Sequence, residues 1–259
     1  MERRARIGFS GVMACAIRIG TAGWSIPGAW RDRFPPDGTQ LERYAARLTA
    51  AEINSSFYRP HRVGTYRRWA DSVGPDFRFA VKLPKEITHQ RRLADVDEAL
   101  RSFAEQVAGL GAKLRVVLVQ LPPSFVFDAG LVAQFLSLAR NRLSARLAIE
   151  PRHASWFSGP AERVLTDHAV ARVAADPPPV PEAAAPGGWR GLAYFRLHGA
   201  PRIYWSDYDA DAVAGHARTA LAASESSETW VVYDNTASGA AVGNALGLRA
   251  LVRPEKGPV

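Results

Sequence analysis

Eight short apolar runs alternate with seven helix-length segments in a chain of 259 residues that has no visible internal repeat, and this pattern predicts an α/β fold. Eight strands in about 240 residues suit a single TIM-type (β/α)8 barrel better than a doubly wound sheet. A third observation agrees. The carboxyl ends of the runs carry acids, amides, Lys and His, whereas their amino ends are apolar or carry Arg.

The strand runs are, in order, "IRIG" (17–20), "AEIN" (51–54), "FRFAVK" (77–82), "RVVLVQL" (115–121), "RLAIE" (146–150), "ARVAAD" (171–176), "LAYFRLHG" (192–199) and "TWVVYDN" (229–235). Helices are expected near 39–49, 62–72, 95–112, 128–140, 158–168, 209–224 and 239–252. Asp95, with Glu98 three residues on, reads as an N-cap, and so does Asp128 ahead of an apolar helix. The sixth crossover is irregular. "PPPVPEAAAPGGW" (177–189) is too rich in Pro and Gly for a regular helix, with room for one turn at 182–185.

Composition narrows the function classes. The net charge of +8 would suit a polyanion, but nearly all the cations are Arg, scattered with no run longer than a pair. Lys occurs only at 82, 85, 113 and 256. A lone Cys15 excludes an intramolecular disulfide and a cysteine-based zinc site, and gives no reason to place the protein outside a reducing cytoplasm. The opening "MERRARIGFSGVMACAI" imitates a secretion signal weakly; residues 1–16 read instead as a disordered extension, or as an over-long start with Met13 the true initiator. The barrel spans 17–252 and a tail 253–259. No stretch approaches the roughly 18 apolar residues of a membrane span, so no membrane partner is expected.

Strand carboxyl ends are where barrels of this kind place their active sites. There the sequence offers Glu52 and Asn54, Lys82, Gln120, Glu150, Asp176, Arg196 and His198, then Asp234 and Asn235. The following loops add Trp24, Phe57, Tyr58, His89, Arg152, His153, Trp156 and Tyr204, aromatics and cations that suit stacking on a sugar or base, or lid packing. Gathering so many ionisable groups is costly unless they are paired. A network such as Glu52 with Lys82 and Glu150 with Arg196 is therefore the competing structural role.

Several of these stretches together resemble a known family. "IRIGTAGWSIPGAWRDRFPP", "AEINSSFYRPH", "FRFAVKLPKEITHQRRL", "VLVQLPPSF", "AIEPRHASWF", "YFRLHG" and "VVYDNTASGAAVGNALGL" resemble the YecE-like family, domain of unknown function 72, across residues 17–252. The resemblance implies a TIM-type barrel and supplies no reaction; a relationship in fold to metal-dependent endonucleases and sugar isomerases suggests nucleic-acid or sugar ligands. Two positions depart from the pattern. Pro151 stands where an aromatic is usual, and Asp234 stands in place of the first Asn of a pair.

For the chemistry, Glu150 is the first candidate general acid or base and His198 the next, with Glu52 and Asp176 as further carboxylates. Lys82 can lose its proton when desolvated, which Arg cannot, so proton transfer, Schiff-base formation and anion binding are all open to it. Candidate ligand-binding residues are Asn54, Tyr58, His89, Gln120, Arg152, His153, Arg196, Asn235, Trp24 and Trp156. No cofactor is predicted. A divalent metal on His89, Glu150, Asp176, His198 and Glu52 is the alternative, although no HxH or HExxH spacing occurs. The expected function is acid/base chemistry on a small anionic carbohydrate-like ligand, phosphorylated or carboxylated. The alternative is a nucleic-acid-binding or endonuclease-like protein; the residues assign no oligomeric state.

Overall fold

The computed structural model describes residues 15–252. Of the expected extension over 1–16, residues 1–14 lie outside the described residues, as does the tail over 253–259. Ten strands are present among the described residues: β1 (Ile17–Thr21), β2 (Ala50–Ile53), β3 (Arg78–Lys82), β4 (Leu114–Gln120), β5 (Arg146–Glu150), β6 (Val170–Arg172), β7 (Ala174–Asp176), β8 (Gly187–Gly188), β9 (Leu192–Leu197) and β10 (Glu228–Tyr233). Between them run α1 (Gln40–Ala45), α2 (Val63–Asp71), α3 (Asp97–Val107), α4 (Ala129–Arg142), α5 (Gly159–Asp167) and α6 (Ala210–Ser224), with α7 (Ala240–Val252) last. None of these helices is long and apolar enough to cross a membrane.

The strands form two sheets, β1-β10-β9-β7 and β2-β3-β4-β5-β6-β8, parallel throughout except for β8. The expected sixth strand is broken at Val173: β6 pairs with β5, and β7 pairs with β9. On the other side β1 meets β2 through one bridge, Ala22 to Glu52. Ladder hydrogen bonds therefore do not run round as one closed sheet. The irregular sixth crossover holds a 3-10 turn at Pro181–Ala184 and the short β8, which pairs antiparallel with β6. That strand was not foreseen, because two consecutive glycines carry no strand pattern.

Alternation along each strand separates two apolar layers. Ala50, Ala80, Leu118, Ala148, Val173 and Val232 pack together inside, around Tyr194 stacked on Trp230. Ile53, Val81, Val119, Ile149 and Tyr233, one residue out of phase, pack outward with the helices. Asp128 caps α4 as expected, accepting from the Leu131 amide at 2.9 Å. Asp95 does not cap α3: the residue before that helix is Val96, and Asp95 is spent in a left-handed turn at φ 51°.

Gly20 lets β1 lie close to β2, because a methyl group there would overlap the Ala50 carbonyl oxygen. Gly20→Ala is expected to cost about 1–3 kcal/mol of stability, as overpacking between backbones does. Urea unfolding measures it; an unchanged midpoint would show that the two strands part freely. At the amino ends of the strands, Glu228 accepts from Arg115 at 2.8 Å and from the Trp230 indole at 3.0 Å, with Arg146 3.2 Å away.

Candidate active site

The inward phase of each strand decides which polar groups meet. Continuing it past the apolar layer brings Glu52, Lys82, Gln120, Glu150, Arg196, His198 and Asp234 to one end, all buried. Arg196, wholly buried, is the hub. Its Nε and Nη2 donate to both oxygens of Glu52 at 3.0 and 2.7 Å, its Nη1 to Glu150 Oε2 at 2.6 Å, and its Nη2 also to Asp234 Oδ2 at 2.9 Å. Tyr194 donates to Glu52 Oε2 at 2.9 Å, so both Glu52 oxygens are occupied.

His198 sits between the other two carboxylates. Its Nδ1 lies 3.1 Å from Asp234 Oδ2 and its Nε2 lies 3.2 Å from Glu150 Oε1. Two acceptors facing two ring nitrogens favour the imidazolium, which donates at both. Burial works against that charge, but Glu150 and Asp234 outweigh it and raise the His198 pKa above its usual 6.5. Burial likewise pushes Glu150 up, yet Arg196, His198 and Arg152 together hold it well below its usual 4.5. Asp234 is lowered in the same way, chiefly by Arg196 and His198 against the effect of burial. Above them, Arg152 Nη2 donates to Glu150 Oε1 at 3.0 Å and to the Tyr204 hydroxyl at 3.2 Å, and Tyr204 packs edge-on to His198.

Lys82 differs from every other charge in the cluster. Among the described residues its ammonium makes no hydrogen bond or ion pair; it lies 4.1 Å from the centroid of the Phe57 ring. Burial, then Arg196, lower its pKa from 10.5 to about 8, against the opposing pull of Glu52, Glu150 and Asp234. His89 packs edge-on against Phe57, 5.0 Å between ring centroids. Burial lowers its pKa, and Lys82, Arg152, Lys85 and Arg92 lower it further. The field at this mouth is therefore positive.

Not every expected site residue is brought here. Asp176 is not a carboxylate of the site: Ala171 and Val173 face inward, so Ala174 and Asp176 face outward, and the Asp176 carboxylate accepts from Tyr208 at 2.5 Å. Asn235 is outward by the same alternation and donates to Ser206 O and Asn244 Oδ1. Trp156 is core rather than a ligand platform, fully buried with its indole donating to Phe125 O at 2.9 Å. His153 is engaged in its own loop, its Nδ1 accepting from the Ser155 amide. Trp24 packs edge-on against Trp69 and Phe79, and Tyr58 is exposed beside Phe57. Asn54 follows the last residue of β2 with helical backbone angles, and its buried Oδ1 has no hydrogen-bond partner among the described residues.

Among the described residues no three His, Cys, Asp or Glu side chains are grouped so as to hold a metal ion, and the metal-ligand set expected from sequence is not assembled. Glu52 and Glu150 are committed to Arg196, and Asp176 faces away. Sequence reasoning gave no role to Tyr194, and offered Tyr204 only for stacking or lid packing. It set Asp234 beside Asn235 at the end of the last strand and took Asn235 as the ligand-binding one, although counting by twos from Trp230 and Val232 would have placed Asp234 inside.

A family model described as "Protein of unknown function DUF72" matches residues 18–258. The chain belongs to the DUF72 family. Among curated relatives, this DUF72 chain is 30% identical to UPF0759 protein YecE of Escherichia coli K12 over 170 residues, which cover 63% of the chain and 60% of that protein. It is 29% identical to UPF0759 protein YunF of Bacillus subtilis over 153 residues, 56% of the chain and 53% of that relative. The matched stretch thus spans little more than half the length of these relatives. Solved DUF72 proteins from Enterococcus faecalis (TM-score 0.78, 22% identity, 93% of this chain and 96% of that one) and Thermotoga maritima (0.74, 25%, 91% and 98%) share the fold. A sugar phosphate isomerase/epimerase from Parabacteroides distasonis is more distant, with TM-score 0.52 and 14% identity over 97% of this chain and 99% of that one. That likeness concerns fold alone.

Proposed function

We propose that this DUF72 chain is an enzyme of the reducing cytoplasm whose pocket takes a small anionic, carbohydrate-like molecule and transfers protons on it. The two sheets are read as one TIM-type (β/α)8 barrel, with β6 and β7 as the halves of its sixth strand; the inward side chains at the ends of β2, β3, β4, β5, β9 and β10, meeting at one end, support this. One observation carries the ligand class. The inward carboxylates are matched by Arg196, Arg152 and an imidazolium His198, while Lys82 has no carboxylate in contact, so the pocket offers an unmatched cation. An anion would supply the missing partner.

The sugar phosphate isomerase/epimerase of similar fold supports a phosphorylated carbohydrate over other anions. Proton transfer is assigned to Lys82, whose pKa of about 8 lies near neutrality. Glu150 and His198, the first candidates by sequence, are re-assigned as positioning groups because their acceptors and donors are engaged. The orphan Asn54 Oδ1 would accept from a ligand hydroxyl.

Calorimetric titration with inorganic phosphate and with glucose 6-phosphate tests this reading. Loss of one charge-assisted hydrogen bond is worth roughly 1.5–3 kcal/mol, so Lys82→Met is expected to weaken binding by about ten- to a hundredfold. Oligonucleotide binding with a steep salt dependence, undisturbed by Lys82→Met and without phosphate binding, would overturn it in favour of a nucleic-acid partner.

A further inference from the structure

Lys82 sits at the inward carboxyl end of β3, buried against the Phe57 ring, in contact with neither a carboxylate nor a hydrogen-bond acceptor among the described residues. The other lysines are placed differently. Lys113 is tied to the carbonyls of Ala70 and Val73, Lys85 is exposed, and Lys256 lies outside the described residues. The carboxylates that would hold an ammonium in place are bound instead by Arg196, Arg152 and His198. An amine so placed is a nucleophile as much as a cation.

We propose that Lys82 forms an imine with the aldehyde or ketone group of the pocket's ligand, so that the substrate class is a carbonyl-bearing carbohydrate. The inference rests on the anionic-carbohydrate reading for the identity of the ligand, though not for the chemistry of the amine. In the step, the neutral Lys82 Nζ attacks the carbonyl carbon and forms the C–N bond. The carbonyl oxygen gains the two protons that nitrogen gives up, passed through solvent, and leaves as water. The product is the C=N linkage, with no oxidant or reductant consumed. With Lys82 in the linkage its charge no longer serves the ligand's anionic group, which would fall to Lys85, Arg92 and Arg152, the other cations that act on His89.

The pKa of about 8 supports this chemistry, since at pH 7 about 10% of such an amine is unprotonated against well under 1% of an ordinary lysine. The test treats the full chain at pH 7 with sodium cyanoborohydride and either neutral glycolaldehyde or glyceraldehyde 3-phosphate, then maps modified peptides by mass spectrometry. Lys82 is expected to be reductively alkylated at least about tenfold faster than Lys85 and Lys113, the free-amine advantage being partly offset by lower basicity. Rapid labelling slowed by inorganic phosphate supports both the imine and the anionic ligand. Rapid labelling by glycolaldehyde that phosphate leaves untouched supports the imine and counts against the anionic ligand. Labelling of Lys82 no faster than of Lys85, in protein that calorimetry shows to bind phosphate, overturns the imine and leaves the anion site standing. Lys82→Arg, shown folded by circular dichroism, should lose the fast-labelled fraction; its persistence would overturn the assignment to Lys82.

Discussion

Arg196→Ala is expected to lower the free energy of unfolding by about 3–5 kcal/mol, the largest effect of any single substitution in the site. The cause is not loss of favourable contacts alone. Glu52 and Glu150 are almost fully buried, and Asp234 nearly so, and without the guanidinium each would keep its desolvation cost and lose its counter-charge. A buried carboxylate in that position recovers by taking up a proton. The deficit should therefore shrink as the pH is lowered. Urea unfolding of both proteins across the acid range measures this, and a deficit below about 1 kcal/mol at neutral pH would place the cluster in the energetic class of surface ion pairs.

Stability is expected to be greatest between about pH 4.5 and 6.5 in so far as this cluster decides it. Glu150 and Asp234 have depressed pKa values in the folded state, so their contribution is complete above their ordinary values and is lost as pH falls through the folded ones. His198 has a raised pKa, so its contribution is complete below 6.5 and is lost as pH rises through its folded value. Lys82 acts in the opposite sense at still higher pH: folding depresses its pKa to about 8, and stability is regained between there and 10.5. His198→Gln separates the two. It should remove the loss above pH 6.5, leave the Lys82 gain, and cost about 1–3 kcal/mol near pH 6 by leaving carboxylate oxygens short of a donor. Identical alkaline limbs in the two proteins would mean that His198 is neutral in the fold.

Much of this was legible in the sequence, for physical reasons that also explain the failures. The strands and helices followed from apolar period and turn residues, and Glu52, Lys82, Glu150, Arg196 and His198 were found because a strand end is visible as a change of composition. Phase is harder to see. "ARVAAD" ends in a lone acid after two alanines and "TWVVYDN" in polar residues on both faces, so which way Asp176 points, and which of Asp234 and Asn235 points inward, depends on counting from a residue whose side is already known. Asp176 was misplaced for the same reason. Trp156 was misjudged because a loop aromatic gives no local sign of how deeply it packs. Of the partners of Arg196 the sequence named only Glu150; Glu52, expected to pair with Lys82, and Asp234 come from strands 144 and 38 residues away.

The two sheets share one backbone bridge where β1 meets β2, and a broken strand on the other side. Arg196 belongs to β9 in one sheet, while Glu52 and Glu150 belong to the β2 and β5 side of the other. A flat, rigid five-donor group thus acts as a cross-brace, fastening both halves from within at the spacing its fork geometry allows. The spacing of Glu52, Glu150 and Asp234 is held by the dimensions of one guanidinium, and a flexible lysine in its place would hold the charge without holding the shape.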